Sequence, residues 1–264
     1  MSSSLLAVEG GEGFVSPGPG TFVYPPVFGE GTFVTKPMLI VVFGSILIAV
    51  FFYLAARRAA VVPGKTQYVG ESLYGFVRNS IALDSIGKPG MKHVPYLATV
   101  FFFLAVMNIA GIVPFVQFPA TSRIAIPLFL AVISCVIFNA IGIKRAGFVG
   151  YFKSMMFPAG IPWPVYILLA PIEFVSTIII RPLTLTLRLT FNMFAGHLVL
   201  VLFILGGEYL VFEYGGAVGI AAGSVALFGS LVLTGFEGFV QLLQAYVFTL
   251  LSALYIGGAL VDEH

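Results

Sequence analysis

The sequence predicts an all-α integral membrane protein. About five membrane-embedded helices are expected, plus an amphipathic surface helix, with the last two embedded helices forming a long, tilted antiparallel pair. Three observations carry this. Of 264 residues, 59% are hydrophobic and only 9% are charged, where soluble domains run at about one quarter charged. A chain this apolar cannot cover itself with polar surface, so lipid must be its solvent. Apolar runs of span length recur along it, and the last two runs are about twice as long as a span needs.

Taken in order, residues 1–35 are rich in Gly and Pro and carry Glu9, Glu12 and Glu30. They read as an irregular outer-side tail, with no cleavable signal peptide expected. Residues 36–264 read as one membrane domain. Its first apolar run covers 37–56, and the others cover 95–114, 124–143, 164–206 and 216–261. The first three runs suit single spans of about 20 residues. The fourth would reach roughly 64 Å as a helix, twice the hydrocarbon thickness. Pro171 and Pro182 can kink it, but no loop-forming cluster accompanies them. The expected link between the last two runs is Gly206 to Gly216, which holds Glu208 and Glu213. Between the first and second spans, the stretch 66–83 sets Tyr68, Leu73, Phe76, Val77 and Ile81 among polar residues. It reads as an amphipathic helix on the membrane surface or packed on other subunits.

Basic residues orient the chain. Arg57, Arg58, Lys65, Arg78, Lys88 and Lys92 follow the first span, and Lys144, Arg145 and Lys153 follow the third. Lys36 and Arg123 fall on the other side. The excess marks the cytoplasmic face, so the N-terminus is expected outside and the C-terminus inside. The net charge of +2 and the scattered basic residues exclude nucleic acid as a partner. Cys135 is the single cysteine, and His93, His197 and His264 lie far apart. No disulfide framework or metal site is expected, and no cofactor.

The informative residues are the ionisable ones inside the long runs: Glu173, Arg181, Arg188, His197 and Glu237. Such a group at membrane depth costs at least about 2.5–3.5 kcal/mol, so a functional role is the default reading. At 100° per residue, Arg181, Arg188 and Asn192 fall on nearly one helix face, while His197 lies half a rotation from Arg188. Glu237, Gln241 and Gln244 stand at i, i+4 and i+7 and form one polar stripe. Packed antiparallel, the stripe can meet the His197 face, and a His and a Glu in one damp cavity can exchange protons. Arg188 cannot release its proton, but it is a good fixed positive charge. Plainer roles are also available. Arg181 can snorkel to an interface or pair with Glu173, and Gln241 can serve as a helix–helix hydrogen bond.

The stretch from Arg181 to His197, RPLTLTLRLTFNMFAGH, resembles the signature of the ATP synthase subunit a family. Asn108-Ile-Ala-Gly-Ile-Val-Pro114 and Gln244-Ala-Tyr-Val-Phe248 resemble two further blocks of that family in the same order. The resemblance covers about residues 37–264. It implies that Arg188 is the stator arginine facing the carboxylates of a rotating c-ring. It implies that Asn192, His197, Glu237 and Gln244, with Gln241 on the same stripe, line an outer half-channel, and that Glu173 and Ser176 lie near a cytoplasmic one. Enterobacterial members carry Glu and then His where this chain has His197 and then Glu237. The pair's chemistry is kept, as in the mitochondrial arrangement. The family further implies a multi-pass protein of the bacterial plasma membrane, the ion-channel part of a proton-transporting ATP synthase. Its implied partners are the c-ring, the peripheral-stalk subunit b, other synthase subunits, lipid and protons. No Walker-type phosphate loop is present, so no nucleotide chemistry is expected in this chain. The competing functional reading is a secondary ion- or proton-coupled transporter. It would call for paired inverted repeats with broken helices, and the sequence shows no such repeat. A membrane scaffold without transport would leave the polar stripes unexplained.

Overall fold

A computed structural model describes Pro17, Gly18 and residues 35–57, 60–113, 116–157 and 163–260. The expected tail over 1–35 and the ends of the chain used for orientation lie almost wholly outside these residues, as do Arg58 and Pro114. Every regular element among the described residues is helical. Five helical runs are long and apolar enough to cross a membrane.

Helix α1 is Lys36–Ala56. Pro37 stands in its first turn, where a missing N–H costs nothing. Its apolar side chains point mostly outward, with Phe43, Leu47 and Tyr53 exposed, as a lipid-facing helix requires. Helix α2, Lys65–Phe76, runs on as a π-helical stretch Val77–Leu83 and then as the short α3, Asp84–Ile86. The expected single helix over 66–83 therefore changes its winding midway. Its apolar set also divides: Val77 and Ile81 are buried in the core, while Tyr68, Leu73 and Phe76 are exposed.

Helix α4, Val94–Ile109, is the buried centre of the bundle, with Leu97, Leu104, Met107 and Asn108 fully covered. It stops at Ile109 and not at Pro114, because Ala110 to Val113 turn away. The connection to α5 is itself buried at Phe118, Ala120 and Thr121. Helix α5 is Ala125–Ala146, and the short α6, Phe148–Met156, follows Gly147 at positive φ. Gly142 of α5 accommodates α6: a Cβ there would collide with the Tyr151 ring.

Helix α7 is Trp163–Val175, and α8 is Arg181–Tyr209. They are joined by a π-helical stretch, Ser176–Ile180. Pro182 lies just beyond it, has no N–H for the carbonyl one turn back and crowds that carbonyl. A locally widened helix is how the run continues past such a residue. A second π-helical stretch, Leu210–Tyr214, ends the run, and α9 is Gly216–Leu260.

The link expected over Gly206–Gly216 is thus corrected. The helix continues through Gly206, Glu208 and Glu213, and the reversal falls at Gly215 and Gly216, both at positive φ. Those two backbone positions suit glycine alone. The two long runs span 50 and 45 residues, which is roughly 75 and 67 Å of helix against about 30 Å of hydrocarbon. Apolar over most of their length, they are too long to cross a bilayer upright and fit it when steeply inclined. They pack on one another, α4 and α5 pack on α9, and α5 also packs on α8.

Candidate functional site

The polar stripe of α9 is inside the protein. Glu237 is 7% exposed, Gln241 0% and Gln244 5%. Their spacing puts them on one face, and α8 and α4 cover that face. Gln241 Nε2 donates to Glu237 Oε1 at 3.2 Å. The backbone carbonyl of Gln241 accepts from Asn108 Nδ2 at 3.0 Å, and Asn108 Oδ1 accepts from Thr121 Oγ1 at 2.6 Å. The buried loop after α4 is therefore latched to the middle of α9 through one amide. Gly111 makes room for this, since a Cβ there would stand 3.0 Å from Gln241 Nε2. Glu237 Oε2 and Gln241 Oε1 are buried and accept no hydrogen bond among the described residues. The carboxyl is thus not locked into a fully satisfied structural network.

Helix α8 brings the other half. Glu237 lies over Gly196: a Cβ on Gly196 would be 3.6 Å from Glu237 Oε1. The next residue, His197, is buried at 7% exposure. A Cβ at position 196 would stand in ordinary van der Waals contact with the carboxyl. Buried Leu185, Leu189, Met193, His197 and Leu200 mark the packed face of α8. Arg181, Arg188 and Asn192 fall along the edge of that face, by their spacing. Asn192 Nδ2 donates to Gln244 Oε1 at 2.9 Å. The Arg181 guanidinium sits 5.2 Å from the centre of the Tyr255 ring, so Arg181 turns to α9 and not to Glu173. Arg188, between them, is exposed and makes no hydrogen bond or ion pair among the described residues. Glu173 and Ser176 are half-buried at the end of α7 and the start of the π-helical stretch.

The structure therefore joins Asn192 to Gln244 and Glu237 to Gln241, with Glu237 beside the turn that carries His197. It leaves Arg188 on an outward face, and it gives Glu173 no hydrogen-bonding partner among the described residues. Sequence reasoning passed over Asn108 and Thr121 as site residues. Asn108 had a signal, being a lone amide inside an apolar span, whereas Thr121 had none before the loop was folded.

Comparison with known proteins bears on this arrangement. The family model described as ATP synthase A chain matches residues 38–257. The chain belongs to that family. The match covers α1 through nearly all of α9, so the ATP synthase A chain family accounts for the whole helical bundle. Among curated relatives, ATP synthase subunit a of a Nocardioides species is 48% identical across 100% of this chain and 99% of its own length. The Streptomyces lividans protein of the same name is 45% identical over 96% of this chain and 90% of its own length. That of Frankia alni is 42% identical over 100% of this chain and 92% of its own length.

Proposed function

We propose that the chain is the proton-conducting stator subunit of a bacterial F-type ATP synthase, seated in the plasma membrane with its N-terminus outside and its C-terminus in the cytoplasm. The observation that carries the reading is Arg188: a permanent cation, outward-facing on an apolar helix, one turn from the buried polar network of α8 and α9. A lone guanidinium at membrane depth needs a carboxylate from another chain, and a ring of subunit c supplies one at each site.

In this mechanism a proton enters from outside along Glu237, His197, Gln241, Gln244 and Asn192. It neutralises a c-ring carboxylate, which can then enter lipid. Rotation carries that site around to Arg188, whose charge favours the ionised carboxylate and displaces its proton toward Glu173 and Ser176 on the cytoplasmic side. Arg188 also repels any proton passing straight between the two paths. Each charge moved contributes about 2.3 kcal/mol per 100 mV, plus the pH difference, so several transits are needed per ATP made at the remote catalytic head. Subunit b and other synthase subunits hold the chain still while the ring turns. No cofactor or nucleotide is required of this chain.

The test is proton flux in vesicles reconstituted with this chain, with and without a c-ring. Flux that needs both supports the stator reading. Flux from this chain alone, coupled to a solute, establishes the transporter reading instead.

A further inference from the structure

Arg181 and Arg188 stand on nearly the same edge of α8, yet one is turned in and the other out. The contacts on either side of Arg188 explain the difference. Going from Arg181 to Asn192 moves eleven residues forward along α8, and going from Tyr255 to Gln244 moves eleven back along α9. The two contacts therefore share one antiparallel register. At that register the position level with Arg188 is Phe248, which is 1% exposed and apolar. Its ring is packed into the core, and Arg188 is exposed, whereas Arg181 and Asn192 on either side hold contacts to α9.

The Arg181 contact is built, not incidental. Its ring partner Tyr255 is itself braced by the buried Phe138 of α5, with ring centres 5.6 Å apart. The guanidinium, the tyrosine ring and the phenylalanine ring thus come from α8, α9 and α5 in turn. Arg181 also opens α8 directly after the π-helical stretch, where the rotation of the helix about its own axis is least fixed by regular hydrogen bonding. A half-buried cation over an aromatic face is a directional contact at that point.

We propose that Arg181 and Tyr255 are positioning residues: with Asn192 and Gln244 they clamp α8 to α9 at two points and so fix the height and rotation at which Arg188 faces the ring. This rests on the stator reading of Arg188. Arg181 acts through Arg188 and touches no proton.

The test uses the complete synthase in inverted membrane vesicles, with pumping normalised to assembled complex. Tyr255→Leu and Arg181→Gln should each slow ATP-driven pumping about tenfold, the scale of a desolvated cation–π contact. The double variant should be no slower than either single one, because both remove one interaction. Tyr255→Phe, which keeps the ring, should pump at the parental rate. Parental pumping in either single variant overturns the proposal. So do losses that multiply in the double variant, or a Tyr255→Phe variant as slow as Tyr255→Leu. A second measurement reads the register without activity: disulfide formation between cysteines replacing Asn192 and Gln244, in a Cys135→Ser background. It should slow about tenfold with Tyr255→Leu, on the same contact scale, and hold its rate with Tyr255→Phe. An unchanged rate in Tyr255→Leu overturns the clamp. Arg188→Ala, run alongside, separates the two readings. Normal pumping there defeats the stator assignment, whereas lost pumping with parental behaviour of the Arg181 and Tyr255 variants defeats the clamp alone.

Discussion

The α8–α9 hairpin is held together by different physics at its two ends. Near the turn, glycines let the backbones touch: a Cβ on Gly223 would lie 2.8 Å from the Gly207 carbonyl oxygen, and one on Gly219 would lie 2.7 Å from that of Leu210. Toward the other end the helices meet through side chains, at Asn192–Gln244 and Arg181–Tyr255, with Glu237 over Gly196. Apolar burial gives no driving force between helices in lipid, so both devices are needed: close packing of small residues and polar contacts. Only the second leaves ionisable groups at depth. The glycine end provides association, and the polar end adds ionisable groups to association.

Substitutions sharpen this contrast. Arg188→Ala should lower coupled pumping by at least about 100-fold, as removal of one preorganised charge-stabilising group does, with the complex still assembled. Arg188→Lys should fail similarly, because a compact ammonium does not replace a planar fork. Normal pumping in either would remove the polar end's claim to function.

Glu237→Gln should come next, with pumping slowed roughly 100-fold, the lower end for loss of a titrating relay. His197→Ala should slow it less, since water can fill the gap. The exchange His197→Glu with Glu237→His should retain more activity than either single change. A parental rate in Glu237→Gln would make Glu237 a structural residue.

At the glycine end, Gly223→Val should act on amount and not on rate. The new side chain meets Val211 and the Gly207 backbone, and overpacking of this kind costs about 1–3 kcal/mol. Immunoblotting of membranes should show less assembled complex, with normal pumping per complex. A per-complex defect would blur the division between the two ends.

The smallest effect is expected for Thr121→Val. It leaves Asn108 Oδ1 without its donor, and interhelical hydrogen bonds in membranes average about 0.6 kcal/mol. A slight loss in thermal stability of the detergent-extracted complex, without loss of Arg188-dependent pumping, is the expected result.

The polar end was largely legible in the sequence. A charge or amide inside an apolar run is conspicuous, and helical spacing alone groups Glu237, Gln241 and Gln244 on the face that the fold buries. The glycine end misled. Gly206, Gly207 and Glu208 look like a turn in a chain met without its partner helix, but Gly207 serves close approach to α9 and the helix runs on. Composition does not distinguish a glycine that bends a helix from one that lets a neighbour in. The same gap hid Thr121 and Tyr255, whose partners are set by tertiary contact. It also hid the division of the 66–83 apolar set between the core and the exposed surface.

The tight reversal at Gly215 and Gly216 has a consequence for how the protein is made. With no hydrophilic loop between α8 and α9, the membrane-insertion machinery has no place to pause and thread one span before the next. Insertion of the two helices together, as a hairpin, is the expected route, with Glu208 and Glu213 near its tip. Without α9, α8 would hold Asn192 and His197 in lipid without the helix that pairs with the one and helps bury the other. A truncation within the 45-residue α9 should therefore expose α8 to membrane proteolysis.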